Sequence, residues 1–205
     1  MKKTALSVFS IVFILLNQIL TVQAEESPRF PILSIAPELG YQFLGKKTLE
    51  DTYRTSVGPR HGAVIKAHVD IGGDKWGLEI APLYAWQGTK NEMGALNAFG
   101  GEVTMVYRFK KGAAYPGVGL GFHATYLFPN DKVQHGLELM GRVPLGLTWY
   151  FLKYIGLVVE GGFLFGATGI RFKNDSAVPE FQALNENTEY AFTMGFDLMI
   201  GLRFP

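Results

Sequence analysis

Taken two residues at a time, the stretch from Tyr190 to Phe204 separates into two unlike faces. One carries Phe192, Met194, Phe196, Leu198, Ile200, Leu202 and Phe204; the other carries Ala191, Thr193, Gly195, Asp197, Met199, Gly201 and Arg203. A period of two means a β-strand, because successive side chains leave the pleat on opposite sides. Seven earlier segments repeat the pattern. Phe30 to Leu44 sets Leu33, Ile35, Leu39, Tyr41 and Phe43 against Ser34, Glu38, Gly40 and Gln42. Arg60 to Ile71 sets Ala63, Ile65, Ala67, Val69 and Ile71 against Lys66, His68 and Asp70. Lys75 to Trp86 sets Trp76, Leu78, Ile80, Tyr84 and Trp86 against Gly77, Glu79 and Ala81. Phe99 to Phe109 sets Val103, Met105, Tyr107 and Phe109 against Glu102, Thr104 and Arg108.

The fifth segment, Tyr115 to Phe128, opposes Val118, Leu120, Phe122 and Tyr126 to Gly117, Gly119, Gly121, His123 and Thr125. The sixth, Leu137 to Phe151, opposes Leu139, Val143, Leu145, Leu147 and Trp149 to Glu138, Arg142, Gly146 and Thr148. The seventh, Tyr154 to Gly166, opposes Ile155, Leu157, Val159, Phe163 and Phe165 to Gly156, Glu160 and Gly162. None of the eight apolar faces carries a charge. Eight alternating strands predict an all-β chain, an antiparallel up-and-down barrel.

Which face is inside follows from size. The apolar set is bulky and would overfill an eight-stranded lumen, which only just accommodates side chains. The opposite set is small and polar, rich in glycine, and suits a narrow interior. The pattern therefore predicts a transmembrane barrel, apolar towards lipid and polar within. The links agree: Gly72 to Asp74, Lys110 to Ala114 and Leu152-Lys153 are short. Gly45 to Pro59, Gln87 to Ala98, Pro129 to Gly136 and Ala167 to Glu189 are longer and alternate with them. Short periplasmic turns, long outer loops and both chain ends on the periplasmic side are the barrel topology. Trp76, Trp86, Trp149, Tyr84, Tyr107, Tyr115, Tyr126 and Tyr154 fall near strand ends, where amphipathic rings form interface girdles. Pro37, Pro82, Pro116 and Pro144 lie inside predicted strands and leave the register around them open.

The N-terminus adds a compartment. Lys2 and Lys3 precede an apolar run from Ala5 to Leu16, and Val22-Gln23-Ala24 ends in small residues before Glu25. That is the plan of a signal peptide over residues 1–24, leaving residues 25–205 as the barrel. Without the two leader lysines, 17 basic residues face 18 acidic ones, a near-neutral balance with no basic footprint for nucleic acid. There is no cysteine, hence no disulfide or thiolate ligand.

Candidate chemistry lies on the small face. Glu38, Asp70, Glu79, Glu102, Glu138, Glu160 and Asp197 share the predicted lumen with Lys66, Arg108, Arg142, Arg203, His68 and His123. Buried charges must be paired, so a structural ion-pair plug is expected, ahead of a narrow polar pore. His68 with Asp70, and His123 with Thr125, share a strand face, but no metal-binding motif accompanies them, and no metal, cofactor or catalytic residue is assigned. The run Gly117 to Phe122 is embedded in a strand and is no phosphate loop. A lipid hydrolase would need a serine activated by histidine and carboxylate. Ser27, Ser34, Ser56 and Ser176 are the serines after the leader, and none alternates with a histidine.

On these residues the chain resembles the small eight-stranded outer-membrane barrels, the group of the OmpA transmembrane domain, OmpX and OmpW. The terminal strand is similar to their C-terminal assembly signal, with Phe204 as its aromatic end and Pro205 a departure from it. The resemblance implies a monomer in the Gram-negative outer membrane, contacting lipid and lipopolysaccharide and inserted by the barrel-assembly machinery through the last strand. For activity the resemblance is weak; the residues themselves call for no cofactor, and a structural or surface-interaction role is expected, the loops being the place for an extracellular partner. The alternatives are a narrow, porin-like channel for small or hydrophobic solutes, entered laterally near the prolines, and a lipid A-modifying enzyme.

Overall fold

The computed structural model describes residues 29–47, 59–89, 95–173 and 188–205; the signal-peptide assignment lies outside them. Eight strands form: β1 (Leu33–Lys47), β2 (Arg60–Gly72), β3 (Trp76–Thr89), β4 (Leu96–Arg108), β5 (Ala114–Leu127), β6 (Val133–Leu152), β7 (Ile155–Phe172) and β8 (Thr188–Arg203). Each pairs antiparallel with its neighbours in sequence, and β8 closes on β1. Phe204 extends that seam, its N–H donating to Ile35 O at 2.9 Å and its O accepting from Ile35 N–H at 2.8 Å. Even a strand of 13 residues exceeds the roughly 9–11 that a tilted strand needs to cross a bilayer.

Closure is staggered. Following paired residues once around, Ser34, Asp70, Glu79, Thr104, Gly121, Arg142, Leu164 and Gly195 succeed one another, and the path returns to β1 at Leu44, ten residues beyond its start. Such a shear tilts the strands and fixes the narrow bore of an eight-stranded barrel. It also determines which inward side chains meet across the lumen.

The faces are as the alternation predicts. Leu39, Ile65, Met105, Leu120, Leu145, Phe196, Leu198 and Ile200 are exposed on the outside, while the charged residues between them in sequence are buried. Among the described residues, charges on the outer surface occur only at turns and strand ends, leaving a charge-free band between.

The edges differ from the sequence reading. β6 begins at Val133 and β7 continues to Phe172, so the barrel wall rises further on the loop side than the alternation suggested. The β5–β6 link shrinks to residues 128–132, no longer than the β4–β5 link at 109–113, so long and short links do not alternate strictly. In that turn Lys111 and Ala114 exchange both backbone hydrogen bonds around Gly112, whose φ of 63° a tight hairpin requires.

Pro82 and Pro144 open the ladder without shifting it, while Pro37 and Pro116 stay paired, with Ala67 and Leu147. Pairing is interrupted between Lys66↔Leu83 and Val69↔Ile80, beside Pro82, and between Val118↔Leu145 and Gly121↔Arg142, beside Pro144. The register is the same on both sides of each gap, and shifts occur only near the ends of the β6–β7 pair. A missing N–H deletes a bond, but the buried face holds the alignment.

Candidate functional site in the barrel lumen

All thirteen charged and histidine side chains placed inside by alternation are buried, and they sort into tiers along the axis. At the short-turn end the chain departs from expectation. Phe30, read as the head of the first strand, precedes it and turns into the lumen, where it is 3% exposed. Its ring meets Tyr115 and Tyr150 edge-on at 5.2 and 5.9 Å. Tyr115 therefore belongs to this plug and not to the interface girdle. The Phe30 N–H donates to Asp74 Oδ1 at 2.8 Å, and the Arg108 guanidinium sits 4.0 Å from the Phe30 ring centroid.

Above the ring, Arg108 and Arg203 share Asp70 and Glu79. Arg203 Nη2 donates to Glu79 Oε1 at 2.9 Å, and both arginines pair closely with Asp70 Oδ2. The other Glu79 oxygen, Oε2, lies 3.3 Å from His68 Nδ1.

The middle tier centres on Arg142. Its Nη1 donates to Glu102 Oε1 at 2.8 Å, its Nη2 to Glu160 Oε1 at 2.7 Å and to Asp197 Oδ1 at 2.8 Å, and its Nε to Asp197 Oδ2 at 3.1 Å. Lys66 Nζ completes the tier, 2.9 Å from Glu102 Oε2 and 3.0 Å from Asp197 Oδ2. His123 stands beside it, its Nδ1 3.8 Å from Glu102 Oε2.

Space for this tier comes from glycine. A Cβ on Gly162 would lie 2.5 Å from Asp197 Oδ1 and 2.6 Å from Arg142 Nε. Gly162→Ala is therefore expected to lower stability by about 1–3 kcal/mol, the usual range for overpacking. The same change at outward-facing Gly101, whose nearest neighbour would be the Ala81 carbonyl at 3.6 Å, is expected to be neutral. Urea unfolding of the two variants side by side checks this.

The third tier, at the end away from the short turns, rests on a residue not singled out from the sequence. Arg60 pairs closely with Glu138 and donates from Nη1 to Gln87 Oε1 at 3.2 Å. Gln87 Nε2 donates to Gln42 Oε1 at 2.9 Å, and Thr125 Oγ1 to Glu138 Oε2 at 2.9 Å. Arg60 shares the parity of Lys66, His68 and Asp70, so extending β2's alternation to its first residue would have found it. The lumen is also less polar than expected: Val64, Leu96, Leu127, Val133, Ile170 and Phe172 form an inward apolar cluster, and Leu44, Met140 and Leu164 a second.

Three side chains keep ligating atoms that these pairings leave open. Glu38 of β1, His68 of β2 and Glu160 of β7 bring ligating atoms within 4.8 Å of one another. Both Glu38 oxygens and His68 Nε2 are buried without a hydrogen-bond partner. His68 thus faces carboxylates from other strands, not the Asp70 two residues along. Ser34, the one candidate serine among the described residues, is buried in β1, and its Oγ has no hydrogen-bond partner.

On the outside, Trp76, Trp86, Tyr84 and Tyr126 are exposed near strand ends, with Tyr107 and Trp149 half-buried. Trp76 and Tyr107 pack edge-to-face at 4.7 Å at the short-turn end, and Tyr126 and Phe128 at 5.5 Å at the other. Arg171, read as part of the long loop, lies exposed in β7, and Lys173 is exposed just after it; Asp175, Glu180 and Glu186 lie outside the described residues.

No protein-family model matches the chain, and no curated protein matches it significantly. Among solved structures it is similar to the outer membrane protein OprG from Pseudomonas aeruginosa, at 15% identity and TM-score 0.54, over 84% of this chain and 95% of that one. It is also similar to Neisserial surface protein A, at 10% identity and TM-score 0.56, over 85% of this chain and 97% of the other. The chain has the fold of the small eight-stranded outer-membrane barrels.

Proposed function

We propose that the chain is a monomeric Gram-negative outer-membrane barrel that acts as a structural or surface-interaction protein and catalyses no reaction. The observation that carries this reading is the inversion of polarity. Bulky apolar side chains form the outer surface and the charges lie inside. A water-soluble barrel would expose an apolar area far above the few hundred Å² that soluble monomers tolerate. The aromatic pairs at both ends suit the two membrane interfaces, and the short-turn end, which holds Phe30 and Phe204, faces the periplasm.

The lumen favours a plug over a pore. The aromatic plug, the paired charges and the apolar clusters succeed one another along the axis, each built from buried inward side chains. Recognition then falls to the outer loops, which a rigid wall presents to lipopolysaccharide or to a partner outside the cell. Insertion would use the barrel-assembly machinery, with β8 and Phe204 as the signal. The gaps beside Pro82 and Pro144 favour one second reading, a lateral route for small apolar solutes through the wall.

Electrophoresis of membrane-extracted protein with and without boiling tests the first part. A heat-dependent mobility shift, with the protein in the outer-membrane fraction, is expected. An unshifted protein in the periplasmic fraction would overturn it. In planar bilayers the folded barrel is expected to show no stepwise conductance; regular steps would replace the plug with a channel.

A further inference from the structure

The permanent charges of the lumen do not balance, and the buried histidines His68 and His123 are the remaining groups that can carry charge. Among the described residues seven buried carboxylates (Glu38, Asp70, Glu79, Glu102, Glu138, Glu160 and Asp197) face five buried permanent cations (Arg60, Lys66, Arg108, Arg142 and Arg203), an excess of two negative charges. The excess has an address. Asp70, Glu79, Glu102, Glu138 and Asp197 are each held by Arg or Lys at hydrogen-bond distance, whereas neither oxygen of Glu38 has a partner. Glu160 gives one oxygen, Oε1, to Arg142. A carboxylate buried without a partner is too costly to persist ionised unless a cation joins it.

We propose that Glu38, His68 and Glu160 bind one divalent transition-metal ion of the zinc class. One imidazole nitrogen and two carboxylates are ligands such ions accept. Two positive charges match the local excess. His68 is already oriented as a ligand: Nδ1 faces Glu79 Oε2 at 3.3 Å, which leaves Nε2, buried and unpartnered, directed at Glu38 Oε2 at 3.9 Å. A carboxylate on the far nitrogen is the outer-shell partner that fixes a metal-bound histidine. Metal–ligand bonds of about 2.0–2.2 Å require the three groups to close in by several tenths of an ångström, within the reach of side-chain rotation. Glu160 also lines a small cavity of about 20 Å³ with Glu79, Arg108, Tyr115 and Arg203. That is room for one water beside Glu160. The ion would tie β1 and β2 to β7 across the β8 seam.

The test uses the mature chain folded in detergent, stripped with EDTA, incubated with zinc and desalted before elemental analysis. One zinc per barrel is expected, with a higher unfolding temperature than the stripped protein. Glu38→Gln and His68→Gln, each confirmed as folded by its heat-dependent mobility, are expected to lose that zinc, while His61→Gln and His135→Gln on the surface retain it. Stripped wild type that takes up no zinc overturns the proposal, as does stoichiometric zinc retained by the Glu38→Gln/His68→Gln double variant. Should the lumen variants not fold, X-ray absorption of zinc-loaded wild type decides: a shell with one imidazole and oxygen ligands supports the site, and any other imidazole count overturns it.

Discussion

Replacing Arg142 by methionine is expected to destabilise the barrel by about 3–5 kcal/mol, the cost of stranding buried partners of a removed charge. Arg142 donates four hydrogen bonds to three carboxylates on three strands, Glu102 of β4, Glu160 of β7 and Asp197 of β8. Without it, Lys66 alone remains as the cation shared by Glu102 and Asp197. Methionine fills similar volume, so the loss reports charge and hydrogen bonding more than a cavity. Arg142→Lys keeps the charge but lacks the planar fork, and about half the loss is expected. Arg60→Met also removes the cation that pairs with buried Glu138 and is expected to cost about 3 kcal/mol, the lower end of that range. Glu138 there keeps Thr125 and Thr168. Urea unfolding in lipid vesicles, followed by tryptophan fluorescence, measures all three. A loss below about 1 kcal/mol for Arg142→Met would mean that water solvates the tier, because only solvated ion pairs are worth so little.

That experiment bears on what alternation can and cannot convey. The face of a residue is local information, so β8 was legible from Phe192 to Phe204 and the exposed and buried sets follow it. The partner of a residue is not local. Arg203 meets Asp70 across 133 positions and Lys66 meets Asp197 across 131. Both encounters depend on the ten-residue stagger at closure, which no single strand encodes. Strand ends were illegible for a different reason. Beyond the charge-free band the outer face needs no apolar residue, so β7 runs on through Arg171 without the signal that marked its lower half. Phe30 and Tyr115 misled because an aromatic near a strand end suits either an interface or a plug. Only the turn inward before Leu33 separates the two. The Glu38, His68 and Glu160 cluster lay beyond the sequence for the same reason as the ion pairs: its members come from three strands.

Leu120→Arg is expected to cost about 2–4 kcal/mol in a bilayer, the penalty for arginine on the lipid face near the midplane. Leu120 sits mid-way along β5, is 63% exposed, and is paired with outward-facing Met105 on β4. An exposed leucine on a water-soluble barrel would accept arginine within about 0.5 kcal/mol, so the substitution separates lipid from water as the outer medium. Depth supplies the control. Leu152→Arg, at the short-turn end beside Lys153, is expected to cost only about 0–1 kcal/mol because arginine there reaches the interface. The measurement is reversible urea unfolding in vesicles, with the mobility shift confirming the folded state of each variant. A large loss at Leu120 and a small one at Leu152 would locate the hydrocarbon on the band of β5 and its neighbours. Equal, small losses at both would place water on that face, and the charged lumen would then have to be explained without a membrane around it.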